Sequence, residues 1–284
     1  AQVPGCNFLD LMRHDLVPDP FISLNEKEVQ WVGQKDWEYK RSFELTEDEL
    51  KYDEILLDAK MLDTLCDVYV NEQFLFHGDN CFIPYSHAIK PLLKPGENEI
   101  RILFHSPVKY VEARHAACPA PRNANGRDGI VHIRKPQCHF GWDWGPQLPD
   151  LGIWREIYIQ GYMEAVLEDV RFRQYHKHAV EIHAEPMLKL ASGERCVLSR
   201  AKELYPQLEV TMELVTPDGE TLAMQNGTCT VSHPKLWWPN RYGSQPLYTV
   251  RAVLFCNGQP IQEQQYRIGL RVLTVSREPD EWGE

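Results

Sequence analysis

The segment with the most unusual chemistry is Gln137-Cys138-His139-Phe140-Gly141-Trp142-Asp143-Trp144-Gly145-Pro146, in which two tryptophans flank one aspartate with a glycine on either side. A sugar presents apolar C–H faces ringed by hydroxyls. An indole can cover such a face and leave the hydroxyls free. A carboxylate can accept two hydroxyl hydrogen bonds at once, each strengthened by its charge. The Trp142-Asp143 pair therefore suits sugar reading. The other reading of the same residues, that both tryptophans are core and Asp143 caps a turn, stays open on composition.

Other residues carry weaker signals. His176 and His178 share one strand face, but no third metal ligand lies nearby, and an exposed strand edge accounts for them. Asn226-Gly227-Thr228 matches a glycosylation acceptor, yet Asn-Gly is more simply a turn. Trp237 and Trp238 read as structural. Eight cysteines form no C-x-x-C pair and lie scattered in apolar stretches, so they read as reduced thiols of a cytoplasmic protein. No metal pattern, phosphate-binding glycine loop or basic stripe is visible, and no cofactor is expected.

The elements that would position these residues are short strands. Alternating runs bounded by Gly, Pro, Asn and Asp recur at Tyr39–Leu45, Glu54–Ala59, Cys66–Val70, Phe74–His77, Glu99–Phe104 and Trp154–Gln160. His105–Ala117 predicts a short helix stopped by Cys118-Pro119, and Arg122–Gly129 a polar loop of the kind that often binds. From Tyr162 a second series begins: Ala165–Gln174, Ala179–Glu185, Gln207–Val215, Glu220–Gln225, Leu247–Phe255 and Pro260–Ile268, with Ser192–Lys202 a polar connection. Asn257-Gly258 marks a hairpin. About seven strands in roughly 110 residues fit an immunoglobulin-like sandwich.

The 284 residues suffice for two cores, with 43% hydrophobic and 25% charged residues, an ordinary globular balance. A formal net charge of -11 argues against nucleic acid or an anionic membrane as partner. No apolar run reaches the roughly 20 residues of a membrane helix, and Ala1-Gln2-Val3-Pro4-Gly5 lacks signal-peptide features.

The Phe140–Pro146 segment resembles the F-G-W-D-W-G-P signature of β-mannosidases of glycoside hydrolase family 2. Further matches follow in the family's order. They are Pro18-Asp19-Pro20-Phe21 with Asn25-Glu26, Asp36-Trp37-Glu38-Tyr39-Lys40-Arg41-Ser42-Phe43, Val68-Tyr69-Val70-Asn71, Gly152-Ile153-Trp154, Leu236-Trp237-Trp238-Pro239 with Tyr242-Gly243, and Ile268-Gly269-Leu270-Arg271. The resemblance implies an all-β chain. Residues 1–163 would form a jelly-roll sugar-binding β-sandwich whose first strand is missing. Residues 164–276 would form the immunoglobulin-like β-sandwich, and 277–284 the start of a linker to an absent catalytic barrel. It also implies a retaining exo-β-mannosidase acting on a β-mannoside or mannooligosaccharide. Both catalytic glutamates would lie in the barrel, and this fragment would be inactive alone. By position, Trp142 and Asp143 would line the glycone subsite, with Arg134 in support and Arg127 a lesser candidate. An independent carbohydrate-binding module, or the supporting domains of a family 2 β-galactosidase or β-glucuronidase, are the alternatives.

Overall fold

The computed structural model describes residues 1–121 and 126–283. Residues 122–125, which fall in the loop expected at Arg122–Gly129, lie outside the described residues. The chain divides into two compact units, Ala1–Gly161 and Tyr162–Glu284. Elements are numbered in chain order. Among the described residues no helix is long and apolar enough to cross a membrane.

The first unit is a jelly-roll β-sandwich. One sheet has the order β1 (Trp37–Leu45), β7 (Gly96–Phe104), β4 (Cys66–Val70), β5 (Gln73–Gly78). The facing sheet has the order β11 (Ile157–Tyr162), β2 (Glu54–Ala59), β6 (Tyr85–Ala88). Alternation places one side of each strand inward: Val68 and Val70 of β4 and Ile102 and Phe104 of β7 meet Ile55, Leu57 and Ala59 of β2 in one core. The β4–β5 hairpin turns at Asn71 and Glu72, both at positive φ (48° and 62°), which matches the twist of the flanking strands.

Three smaller parts complete this unit. α1 (Asn7–Arg13) and α2 (Asn25–Glu28) belong to an N-terminal segment whose Cys6, Phe8, Leu11, Val17, Val29 and Val32 form their own buried cluster. A two-stranded ladder joins β3 (Leu62–Asp63) to β10 (Gly152–Ile153). α3 (Pro107–Ala117) starts at Ser106, whose Oγ accepts the Lys109 amide at 3.1 Å, with Pro107 in the first turn where no amide is needed. After α3 the chain returns through Ile130 and Ile133 to a small hairpin, β8 (Phe140–Trp142) and β9 (Gly145–Gln147).

The second unit is an immunoglobulin-like β-sandwich. β12 (Ala165–His176), β13 (Val180–Leu190) and β14 (Arg195–Val197) form one sheet, with β17 (Thr228–Val231) paired to β13. The other sheet has the order β16 (Thr221–Ala223), β15 (Leu208–Val215), β18 (Tyr248–Cys256), β19 (Gln259–Ile268). Ile182 and Leu188 of β13 pack with Leu214 of β15 and Val250 and Leu254 of β18. The β18–β19 turn has Asn257 and Gly258 at positive φ, as an Asn-Gly hairpin requires. The stretch Ser192–Lys202 is not a plain polar connection. It holds β14 and α4 (Leu198–Leu204), because Leu198 and Ala201, three apart, point one apolar stripe into the core.

Candidate functional site

The candidate residues sit at the tip of the β8–β9 hairpin. Phe140 pairs with Gln147 and Trp142 with Gly145, so Asp143 and Trp144 form the turn between the strands. Gly141 sits at φ +106°, a region that L side chains rarely adopt, and it is buried. A glycine is needed there to carry the chain from its buried base to the open tip.

At the base, Phe140 is fully buried against Leu65, Val111, Ile130 and Ile133, with Tyr110 at the edge. Burying such a side chain stabilises by about 1.5–3 kcal/mol. The Leu148 amide donates to His139 O at 2.9 Å, one step below the Phe140–Gln147 pair. Beside it, the side chain of Lys135 is fully buried, and its ammonium bonds the carboxylates of Asp63 and, at 3.0 Å, Asp150. His139 Nδ1 also lies 2.7 Å from Asp150 Oδ1.

Burial opposes the charge on Asp150, but attraction to Lys135 and contact with His139 outweigh it and hold the carboxyl well below its ordinary range. Burial likewise opposes the charge on Lys135, and Asp150 and Asp63 overcome it and raise its pKa. Asp63, His139 and Asp150 converge closely enough to ligate a metal ion. The Lys135 ammonium already bonds both carboxylates, so it supplies the cation this cluster calls for.

The tip is the opposite environment. Trp142 is 42% exposed, Trp144 is 80% exposed, and Asp143 is exposed beside them. The reading of both tryptophans as core therefore fails. Arg134 lies outside the hairpin: its carbonyl accepts the Cys81 amide at 3.1 Å in a parallel bridge to Asn80, and its side chain is exposed. Its neighbour Lys135 turns inward, which ties Arg134 to the same buried base. The structure thus joins Trp142 and Asp143 on one tip and carries Arg134 on the segment that supports it. Arg127 is engaged elsewhere, with Nη1 2.9 Å from Glu112 Oε1 on α3. A cleft of about 1200 Å³ between the sheet edges β1 and β11, which includes Trp37, Tyr39, Ile157 and Ile159, is lined by none of Arg134, Trp142 and Asp143.

Three of the other sequence candidates, His176, the Asn226-Gly227 pair and Trp237, have local structural contacts or turn geometry. His176 Nε2 lies 3.0 Å from Gln174 Oε1. Asn226 and Gly227 have positive φ, as a turn does. Trp237 lies under the Arg271 guanidinium, 4.6 Å from ring centre to carbon, and its amide bonds Leu270 O. All eight cysteines are free thiols. Burial pushes Cys6 and Cys66 up to about 12, so these two remain protonated packing groups.

Sequence reasoning missed the Asp63–Lys135–His139–Asp150 base. Its members come from separate segments, and no local pattern around Lys135, which follows Arg134 in the mixed run Ile130–Lys135, marks it as buried.

Comparison with known families is decisive. Residues 1–155 match the family described as "Glycosyl hydrolase 2 galactose-binding domain-like", and residues 175–271 match "Glycosyl hydrolases family 2". The chain belongs to glycosyl hydrolase family 2. It is similar to a beta-mannosidase B of Thermothelomyces thermophilus, with 33% identity over 98% of this chain and 32% of that protein. A beta-mannosidase of Capra hircus is 28% identical over 98% of this chain and 33% of its own length. Among solved structures, a beta-D-mannosidase from Dictyoglomus thermophilum superposes with a TM-score of 0.81 and 32% identity, over 99% of this chain and 35% of that one. An exo-chitosanase from Amycolatopsis orientalis, at 15% identity and a TM-score of 0.63 over 95% of this chain and 29% of its own, shares the fold. The family 2 chain described here thus spans about a third of the length of the curated relatives it matches.

Proposed function

We propose that this chain is the non-catalytic front part of a retaining exo-β-mannosidase. In that reading Trp142 and Asp143, supported by Arg134, form one wall of the subsite for the terminal mannose. The observation that carries it is the placement of an exposed indole and an exposed carboxylate side by side on a tip whose base is locked. The indole covers a C–H face of the sugar while Asp143 accepts from its hydroxyls. Mannose differs from glucose by an axial hydroxyl at carbon 2, and a carboxylate aimed there selects it. Supporting this reading, the whole-chain relatives are beta-mannosidases.

The two carboxyl groups of a retaining glycosidase stand about 5–5.5 Å apart across the bond they break. In our reading both belong to a catalytic barrel outside these two units, and the linker begins near residue 277. The substrate is a β-mannoside or mannooligosaccharide. The eight free thiols support a reducing, cytoplasmic location.

The test is Asp143→Ala in the enzyme that includes the catalytic domain. A charge-assisted hydrogen bond is worth about 1.5–3 kcal/mol. Losing one lowers kcat/KM for an aryl β-mannoside by about 10- to 150-fold, and the melting temperature should hold. Near-normal kcat/KM with an intact fold would remove Asp143 from the subsite.

A further inference from the structure

The β8–β9 hairpin is poorly equipped to hold itself. A two-stranded hairpin is marginal alone, and Pro146, in the middle of β9, has no amide to donate. The outer edge of β9 is met by side chains rather than by a third strand. The Gln147 amide donates to Glu26 Oε1 at 2.8 Å, and the Gln147 carbonyl accepts from Gln30 Nε2 at 2.8 Å. Gln30 Nε2 also donates to the Glu26 carbonyl at 2.8 Å, which ties the two together. One acceptor and one donor thus bracket both polar groups of a single β9 residue, as a neighbouring strand would.

This clamp is itself fixed. Glu26 lies on α2, and Gln30 is followed within two residues by Val32 and preceded by Val29. Both valines are fully buried in the N-terminal cluster, against which Leu148, the residue after Gln147, also packs. The core that seats α2 therefore also seats the end of the hairpin.

We infer that Glu26 and Gln30 are positioning residues for the sugar-reading tip: they act on substrate through Trp142 and Asp143 without touching it. The inference rests on the proposed role of that tip and extends it to a segment more than a hundred residues away in sequence. Glu26 is chosen over its neighbours by chemistry. Lys27 and Glu28 are exposed, while Glu26 is half-buried with its carboxylate on a backbone amide.

The experiment is steady-state kinetics of the enzyme with its catalytic domain, on an aryl β-mannoside, for Glu26→Ala, Glu26→Gln, Gln30→Ala, Asp143→Ala and the Glu26→Ala/Asp143→Ala double variant, with melting curves for each. A shift of about 1 Å in a binding group costs up to about 100-fold in rate, so Glu26→Ala should lose about 10- to 100-fold in kcat/KM. Glu26→Gln keeps an acceptor oxygen and should recover most of that loss. Gln30→Ala should lose in the same direction by a smaller factor. In the Asp143→Ala background, Glu26→Ala should cost clearly less than it does in the parent, because one of the two contacts it positions, that of Asp143, is already gone. Unchanged kcat/KM in Glu26→Ala and Gln30→Ala beside a damaged Asp143→Ala would overturn the positioning role and leave the subsite reading intact. Fully multiplicative losses in the double variant would also overturn it. Near-normal kcat/KM in Asp143→Ala would sink both. Should Glu26→Ala fail to fold, Glu26→Gln and Gln30→Ala decide: normal kinetics in Gln30→Ala would overturn the clamp.

Discussion

The base and the tip of the β8–β9 hairpin are a few residues apart and obey opposite rules. At the base, the Lys135 charge is wholly buried and bonded to two carboxylates, and Phe140 is packed on all sides. At the tip, a carboxylate and two indoles stand in solvent. Buried polar groups that are satisfied rigidify their surroundings, and exposed ones stay available to a ligand. The comparison teaches how a short loop can present the pair we propose reads the sugar: rigidity is stored below the surface, so the surface residues need not stabilise anything. Changes at the base should therefore cost stability, and changes at the tip should cost recognition.

The largest effect expected is at Lys135. Lys135→Met leaves Asp63 and Asp150 facing each other in the interior without the ammonium that bonds both. Breaking such a buried pair from one side costs about 3–5 kcal/mol. Chemical denaturation of the chain should show that loss in its first unit. A loss under about 1 kcal/mol, the range of exposed pairs, would mean the base is not the anchor described.

Next comes Gly141→Ala. At φ +106° a side chain is strained by about 1–3 kcal/mol, and the melting temperature should fall accordingly. An unchanged melting temperature would show that the turn from base to tip does not need glycine.

The pH dependence follows from the same base. The Asp150 carboxyl is depressed in the folded state, so its contribution is present above the unfolded value of about 3.9 and is lost as pH falls through the folded one. Lys135 is raised, so its contribution is present below about 10.4 and is lost as pH rises through the folded value. Stability should be flat near neutrality and fall at both ends. Asp150→Asn, which cannot titrate, should be less stable at neutral pH and show a shallower acid limb in urea midpoints measured across pH. An acid limb as steep as in the parent would assign the acid loss to other groups.

Much of this was legible in the sequence for identifiable reasons. β4 was readable because its buried residues alternate, β2 because it is a short, largely apolar run between polar segments, and the Asn257-Gly258 hairpin because its dipeptide demands positive φ. Trp142 and Asp143 stood out as residue types seldom found side by side between glycines. The clamp and the base were not legible, because their bonds join residues far apart: Lys135 to Asp63 across 72 positions, and Glu26 to Gln147 across 121. The N-terminal helices escaped because seven- and four-residue helices carry too few turns to show a period. The two-residue strands β3 and β10 have no alternation at all.

The central claim is that Asp143 holds a mannose hydroxyl while the base holds Asp143. The most direct measurement is a cycle between enzyme and substrate: kcat/KM of the parent enzyme and of Asp143→Ala, each on an aryl β-mannoside and on its 2-deoxy counterpart, with melting curves alongside. Our account predicts that the loss caused by Asp143→Ala on the mannoside shrinks by about tenfold or more on the 2-deoxy substrate, at an unchanged melting temperature. The same loss on both substrates, or a melting temperature that falls with the activity, would contradict it.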